Sequence, residues 1–213
     1  MSKYIKEDEV KLLLSDLIQD GVNLFYDDKS HSILKYGPEK KEKILRLPLI
    51  WNKLNENLRD IKQISSCNKE YVVIIIETGQ AALGVFKNAK VIEHKVIRKY
   101  MTRKKQGKSQ LKYLKTKGKS RAGSRIRLKN SIIFFEEINE YINKWFKNYN
   151  VCRVLYYIPK PLINTWLSSK ISLPFDKKDD KLIKIPINMS TPTFELLKKI
   201  GRFAYDGESF IDD

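Results

Sequence analysis

A short segment of this sequence places a glycine, a hydroxyl group and two amides among lysines. Residues 106–110 are Gln-Gly-Lys-Ser-Gln. Gly107 permits backbone conformations that other residues resist, and it allows close approach to a ligand. Ser109 and Gln110 supply uncharged hydrogen-bonding groups, and a glutamine amide both donates and accepts without titrating. Together Gly107, Ser109 and Gln110 resemble a positioning device, in which the surrounding cations hold phosphates while neutral groups orient a small group such as water. Because no residue here is an obvious general base, any catalysis would come mostly from orientation and charge stabilisation.

Positive charge is concentrated around this segment. Between His94 and Phe135 the chain has fifteen Lys or Arg residues and no Asp or Glu, whereas outside this window 27 basic residues face 25 acidic ones. Because the excess of positive charge is confined to this window, it favours binding to a polyanionic partner, which is usually nucleic acid. On composition alone, the simpler interpretation is a solvated lysine-rich loop that binds RNA without chemistry. The candidate RNA-binding residues are Arg98, Tyr100, Arg103, Lys104, Lys105, Gln106, Lys108, Lys112, Arg121, Arg125 and Arg127.

The composition argues against membrane and secreted classes. The longest purely apolar run, residues 72–76, is too short to span a bilayer. Glycines interrupt the basic window, which therefore predicts a loop and not an amphipathic membrane helix. The N-terminus has no secretory signal, and two cysteines, Cys67 and Cys152, are too few for a disulfide framework or a four-ligand zinc site. We expect free thiols in a reducing cytoplasm.

Acidic residues give no sign of a metal site. Two-metal nuclease chemistry needs several carboxylates on adjacent strand ends. Only Glu77 and Glu93 lie near the predicted strands, and Glu136 and Glu137 are expected to open a helix and favour its dipole. His94 lies on a strand far from Gln110 and is more simply structural than a base. No metal and no cofactor are predicted.

Hydrophobic spacing divides the chain into two predicted parts. Residues 1–68 form a mainly helical N-terminal annex, and residues 69–213 form the catalytic domain with the basic glutamine loop at 103–125. In the annex we predict a helix over 10–18, strands over 22–26 and 32–36, and a helix over 47–64. In the domain we predict strands over 71–77, 81–86, 90–101, 151–158 and 182–187, helices over 131–148, 161–169 and 192–200, and an irregular tail over 201–213.

The order of the domain elements predicts their arrangement. Three strands joined by tight turns form an antiparallel meander, and the later strands return through crossover helices. The expected fold class is α/β (α+β) with a mixed sheet and helices on its faces. This order is the one used by folds of the ribonuclease H type.

The residues on either side of the glutamine segment resemble the Vms-like release factor family, which is similar to the middle domain of eukaryotic and archaeal peptide release factors. The residues in register with the family pattern are His94, Lys95, Tyr100, Arg103, Lys105, Gln106, Gly107, Ser109 and Gln110. A second family element, small residues followed by arginine and a long helix, resembles residues 120–127. One departure is Lys108, which stands where the family has a second glycine and resists positive φ by about 1–2 kcal/mol.

The resemblance implies a function on the ribosome. Family members act on large ribosomal subunits that carry stalled peptidyl-tRNA, and their glutamine loop reaches the CCA end of the tRNA. By carry-over Gln110 is the catalytic glutamine, Gly107 permits the path of the loop, and Arg103 and Lys105 grip RNA phosphates. The implied partners are the large ribosomal subunit, ribosomal RNA and peptidyl-tRNA. We expect a cytoplasmic monomer.

Three functions remain open at this stage. The first is an enzyme that frees nascent chains by hydrolysing the peptidyl-tRNA ester. The second is a non-catalytic factor that binds ribosomal RNA or tRNA through the same loop. The third is a metal-independent endonuclease that cuts the tRNA near its 3′ end.

Overall fold

The computed structural model describes residues 2–37, 40–54, 70–101 and 121–211, except for the side chains of 121–125. The N-terminal part contains β1 (Lys3–Ile5), α1 (Glu7–Gln19), β2 (Leu24–Asp27), β3 (Ser32–Tyr36) and β4 (Lys41–Arg46). The remainder contains β5 (Glu70–Glu77), β6 (Gln80–Lys87), β7 (Lys90–Arg98), α2 (Arg121–Asn148), β8 (Val151–Tyr157), α3 (Lys160–Leu167), β9 (Leu182–Lys184), α4 (Phe194–Tyr205) and β10 (Gly207–Ser209). The fold is mixed α/β, as predicted.

The described residues form two five-stranded sheets, which we call the first and the second sheet in chain order. The larger part of the structure is built on the second sheet, which is mixed and has the strand order β7-β6-β5-β8-β9. β5, β6 and β7 form the predicted antiparallel meander, whereas β8 and β9 run parallel to β5. The ends of β5, β7, β8 and β9 therefore lie at the same edge of the sheet.

Both faces of the second sheet are covered, because six consecutive residues of β5 are buried. Val72, Ile74 and Ile76 face α2 and join a core with Phe135, Ile138, Ile142 and Trp145 of that helix. Tyr71, Val73 and Ile75 face the other side, where α4 contributes Leu197, Ile200 and Ala204. A continuous apolar run in a central strand is what burial on two faces requires.

The first sheet has the order β1-β10-β4-β3-β2, and all its strand pairs are antiparallel. Ile33 and Leu45 of this sheet belong to the same core cluster as Val73 and Leu197. The two sheets thus share a core through α4. The division into an annex and a domain at residue 68 stays a prediction, although one strand of the first sheet, β10, comes from residues 207–209.

Several predictions about single elements are wrong. Residues 47–54 form no helix, and the rest of the predicted helix over 47–64 lies outside the described residues. β1, β4 and β10 were not predicted, and the tail completes α4 and forms β10 instead of being irregular. α2 begins at Arg121, so residues 121–125 are helical although they were assigned to the loop, and Glu136 and Glu137 lie within the helix rather than at its start.

The expectation of free thiols is also wrong, because Cys152 is disulfide-bonded. The chain has one other cysteine, Cys67, which lies outside the described residues. Within the described ranges, every helix is too short or too polar to cross a bilayer.

Candidate functional site

The two elements that flank the basic segment in the sequence, β7 and α2, are in contact with each other. β7 ends at Arg98 and α2 begins at Arg121. The Asn130 side chain donates a hydrogen bond of 2.9 Å from Nδ2 to the backbone carbonyl of Tyr100. This contact brings the third turn of α2 to the point where the chain leaves the sheet. We call Arg98–Met101 together with residues 121–133 the stem.

The strand side of the stem is fixed by a close backbone contact. The Lys99 amide donates to the Gly79 carbonyl at 2.8 Å. Gly79 has φ +76°, and a Cβ there would lie 2.5 Å from the Lys99 carbonyl oxygen. Only glycine fits both conditions without strain. The turn between β5 and β6 therefore holds the end of β7, from which the basic segment departs.

An acidic residue on α2 ties the same strand to the helix. Glu137 Oε2 lies 2.9 Å from Lys99 Nζ, and its Oε1 lies 3.9 Å from Lys95 Nζ. This role of Glu137 was not predicted from the sequence, which indicated that Glu136 and Glu137 open a helix. The helix begins at Arg121 instead, and Glu137 lies well inside it on the side that meets β7.

A second attachment between β7 and α2 centres on Glu93. Its carboxylate accepts hydrogen bonds from Trp145 Nε1 at 2.8 Å, from Tyr149 Oη at 2.7 Å and from Lys144 Nζ at 3.2 Å. The Tyr149 hydrogen bond, followed by those from Trp145 and Lys144, holds the pKa of Glu93 below its usual range. Glu93 therefore acts as a structural anion that joins β7 to α2.

The first half of α2 projects beyond the core. Burial against the sheet starts at Phe134, and no residue from 126 to 133 is buried. At 1.5 Å per residue, residues 121–133 extend about 20 Å. Ile126, Leu128 and Ile132 are exposed on this half, with 57%, 65% and 44% of their surface accessible.

The electrostatics of the projecting half favour anions. Its first turn contains no acidic residue, and the N-terminus of a helix carries a partial positive charge. Arg121, Arg125, Arg127 and Lys129 add four cations over nine residues. Backbone N–H groups at such a terminus bind phosphate readily. The stem thus offers cations, helix N–H groups and exposed apolar side chains to one ligand.

The structure places part of the predicted RNA-binding set on this stem. Arg98 and Tyr100 are exposed, the latter at 53%, and Arg127 is half-buried on α2. Arg121 and Arg125 belong to the first turns of α2, and their side chains are outside the description. The predicted site residues that lie outside the described residues are Arg103, Lys104, Lys105, Gln106, Gly107, Lys108, Ser109, Gln110 and Lys112.

His94 does not belong to the stem. Its ring stacks on Phe194 of α4, with centroids 4.0 Å apart and planes 26° apart. It precedes Arg98 by four residues, or about 13 Å along an extended strand. This packing supports the structural interpretation of His94.

Comparison with known proteins identifies the family. The model of the family described as Bacteroidetes VLRF1 release factor matches residues 71–205, a span that runs from β5 through the basic segment to the end of α4. The chain belongs to this family, and the predicted relationship to Vms-like release factors is confirmed. A solved structure titled Vms1 mitochondrial localization core is 12% identical, with 100% of this chain and 87% of that chain covered and a TM-score of 0.49. No curated protein matches the chain.

Proposed function

We propose that this protein is a ribosome-associated, release-factor-like enzyme that frees nascent chains from peptidyl-tRNA on stalled large ribosomal subunits. The observation that carries the proposal is the family match over residues 71–205, because that span includes both halves of the stem and the glutamine segment between them. The hydrogen bond from Asn130 of α2 to the Tyr100 carbonyl supports the proposal, because it joins the two ends of the chain that flank this segment in the sequence.

In the proposed mechanism the stem binds RNA phosphates and Gln110 acts at the acceptor end of the tRNA. Arg98, Arg127 and the N-terminus of α2 neutralise phosphates, and the exposed ring of Tyr100 is available to stack on an unpaired base. Gln110 orients the attacking group, with Gly107 and Ser109 shaping the loop. The attacking group is water in ester hydrolysis, or a ribose 2′-hydroxyl in cleavage of a phosphodiester near the CCA end. Neither reaction requires a cofactor.

The test uses large subunits that carry peptidyl-tRNA labelled on both the peptide and the tRNA. The wild-type protein should release the peptide, and Gln110→Ala should abolish release while retaining binding to the subunit. Gln19→Ala, at the end of α1, is the matched control and should keep full activity. Sizing both products distinguishes the reactions, because hydrolysis leaves an intact tRNA whereas phosphodiester cleavage leaves a shortened tRNA and a nucleotide on the peptide.

The second candidate function is a non-catalytic factor that binds ribosomal RNA or tRNA. The positive, partly apolar stem favours it independently of any chemistry, since binding requires only the cations and the exposed side chains described above. If the wild-type protein binds the subunit and leaves the labelled adduct intact at every protein concentration, the enzymatic proposal is refuted and this alternative stands.

A further inference from the structure

A cleft lies between the two sheets, at the end of the second sheet opposite the stem. It is formed by β2, by the segment after β4, by the start of β8 and by the residues before β9. Its volume is about 780 Å³, which is within the range of small-molecule sites. The side chains that line it include Tyr26, Asn52, Lys53, Leu54, Arg153 and Lys181.

Arg153 is a buried cation without an acidic partner. Only 4% of the residue is exposed, and no carboxylate among the described residues lies within ion-pair distance of its guanidinium. Nη2 donates to Asn52 Oδ1 at 2.7 Å and Nη1 donates to the Asp180 carbonyl, whereas Nε is buried with no hydrogen-bond partner. A guanidinium has five N–H donors, so this one keeps unused capacity at the wall of a cleft.

Burial of such a group is costly unless an anion compensates it. Burial lowers the pKa of Arg153, because removal from water disfavours the charged form. The charges of Asp180 and Asp179 oppose this shift without pairing directly with the guanidinium, and a buried charge with no counterion in contact is rare in folded proteins. An anionic ligand in the cleft supplies such a counterion, and a planar guanidinium matches phosphate oxygens in pairs.

Hydrogen bonds hold one aromatic ring at the wall of the cleft. Burial lowers the pKa of His31 to about 3, so its ring is neutral. Its Nε2 donates to the Pro48 carbonyl at 3.0 Å, and its Nδ1 accepts from Tyr26 Oη at 2.6 Å. The Tyr26 ring is thereby held at the cleft, next to Leu54. An aromatic ring and an apolar side chain form a surface suited to a flat base.

The charged residues around the cleft also fit a nucleotide. Lys53 and Lys181 bring two further cations to the cleft. Asp28 pairs with Lys53 at 3.1 Å, and Asp180 lies at the rim. Carboxylates in such sites accept hydrogen bonds from ribose hydroxyls.

We propose that this cleft binds a phosphate-bearing ligand of mononucleotide size, with the phosphate on the Arg153 guanidinium and the flat group against Tyr26 and Leu54. The phosphate could belong to a free nucleotide or to the backbone of an RNA strand. The site is distinct from the stem and does not depend on the proposed release activity.

The test is calorimetric titration of the whole protein, in chloride-poor buffer, with inorganic phosphate, pyrophosphate, nucleoside mono-, di- and triphosphates, and a short RNA. A free nucleotide is expected to bind, and Arg153→Met should weaken it by about 10–100-fold, the loss expected for charged hydrogen bonds. Arg202→Met, an exposed arginine on α4, is the matched control and should bind normally. If RNA alone shows the Arg153 dependence, the phosphate is that of the RNA backbone.

Stability separates a ligand site from a structural role. In the absence of phosphate, Arg153→Met should lose only the stability of its hydrogen bonds to Asn52 and the Asp180 carbonyl. Added ligand should raise the melting temperature of the wild type and leave that of the variant unchanged. Lys181→Gln, at an exposed residue, should weaken binding several-fold and covers the case in which the Arg153 variant does not fold. The proposal is overturned if no compound binds the wild type at millimolar concentration, or if both variants bind as the wild type does.

Discussion

Replacing Gly201 with alanine tests how closely α4 packs on the second sheet. A Cβ at Gly201 would lie 2.1 Å from Cε1 of Phe86, far inside van der Waals contact. Phe86 is fully buried and stacks on Tyr71, with centroids 5.4 Å apart and planes 14° apart. The Tyr71 hydroxyl in turn donates to the Gly201 carbonyl at 2.9 Å. Movement of the Phe86 ring away from a Cβ at Gly201 would therefore disturb its stacking on Tyr71, which is itself bonded to α4.

Two effects of opposite sign decide the outcome. Helix propensity alone favours alanine over glycine by about 1 kcal/mol. Overpacking a core costs about 1–3 kcal/mol, and this contact is at the severe end of that range. We expect a net loss of about 1–2 kcal/mol, which at a urea m-value of about 2 kcal/mol/M lowers the midpoint by about 0.5–1 M.

Urea unfolding followed by tryptophan fluorescence measures this change. Lys199→Ala is the matched control, because it is exposed on the same helix, and it should shift the free energy of unfolding by less than about 0.5 kcal/mol. An unchanged or higher midpoint for Gly201→Ala would refute the proposed fit between α4 and Phe86.

Three further predictions concern Glu93 and the basic window. Glu93→Ala should lower the free energy of unfolding by about 2–4 kcal/mol, because it leaves the buried Trp145 N–H and the Tyr149 hydroxyl without their acceptor. Lys144→Ala should lower it by less than about 1 kcal/mol. Equal losses of free energy for the two variants would contradict this ranking. The pKa of Glu93 is lowered in the folded state, so its contribution to stability is complete above the ordinary carboxyl pKa of about 4.3 and is lost as the pH falls through the lowered value. The difference in stability between the wild type and Glu93→Gln should therefore shrink below about pH 4, which unfolding curves recorded across that range would measure. Affinity for an RNA oligonucleotide should fall about 10³–10⁵-fold between 50 and 200 mM salt if six or more phosphates are neutralised, and a flat response in fluorescence anisotropy would argue against the basic window as the docking element.

Local sequence signals were sufficient for the second sheet. β5 is a continuous apolar run, and β6 and β7 follow it through short turns, so the meander could be predicted from residues that are close in sequence. The same holds for α4 as far as Ile200, because its apolar residues recur at helical spacing, whereas residues 201–205 were predicted as an irregular tail. The start of α2 was placed too late because residues 121–133 lack a buried face, and the apolar periodicity on which the prediction depended begins only where the helix meets the sheet.

Elements fixed by distant partners could not be predicted in this way. β1 and β10 have three residues each, and Lys3 pairs with Ser209 across almost the whole chain. β4 could not be recognised from its sequence, because its first three residues are charged and only its last three are buried. At the stem, the sequence predicted RNA-binding roles for Arg98 and Tyr100, which stay predictions. It gave no indication of Asn130 or Glu137, whose contacts depend on which face of a long helix meets β7.

The position of β10 between β1 and β4 has a consequence for biosynthesis. β10 lies between β1 on one side and β4 with its neighbours on the other, so it joins these two portions of the first sheet. It is also the last strand of this sheet to be translated, about 160 residues after β4. Until Gly207 emerges, β1 has no strand to pair with and one edge of β4 stays open, and unpaired edges are sites of aggregation. Nascent chains interrupted before that residue should therefore be preferred substrates for chaperones and proteases.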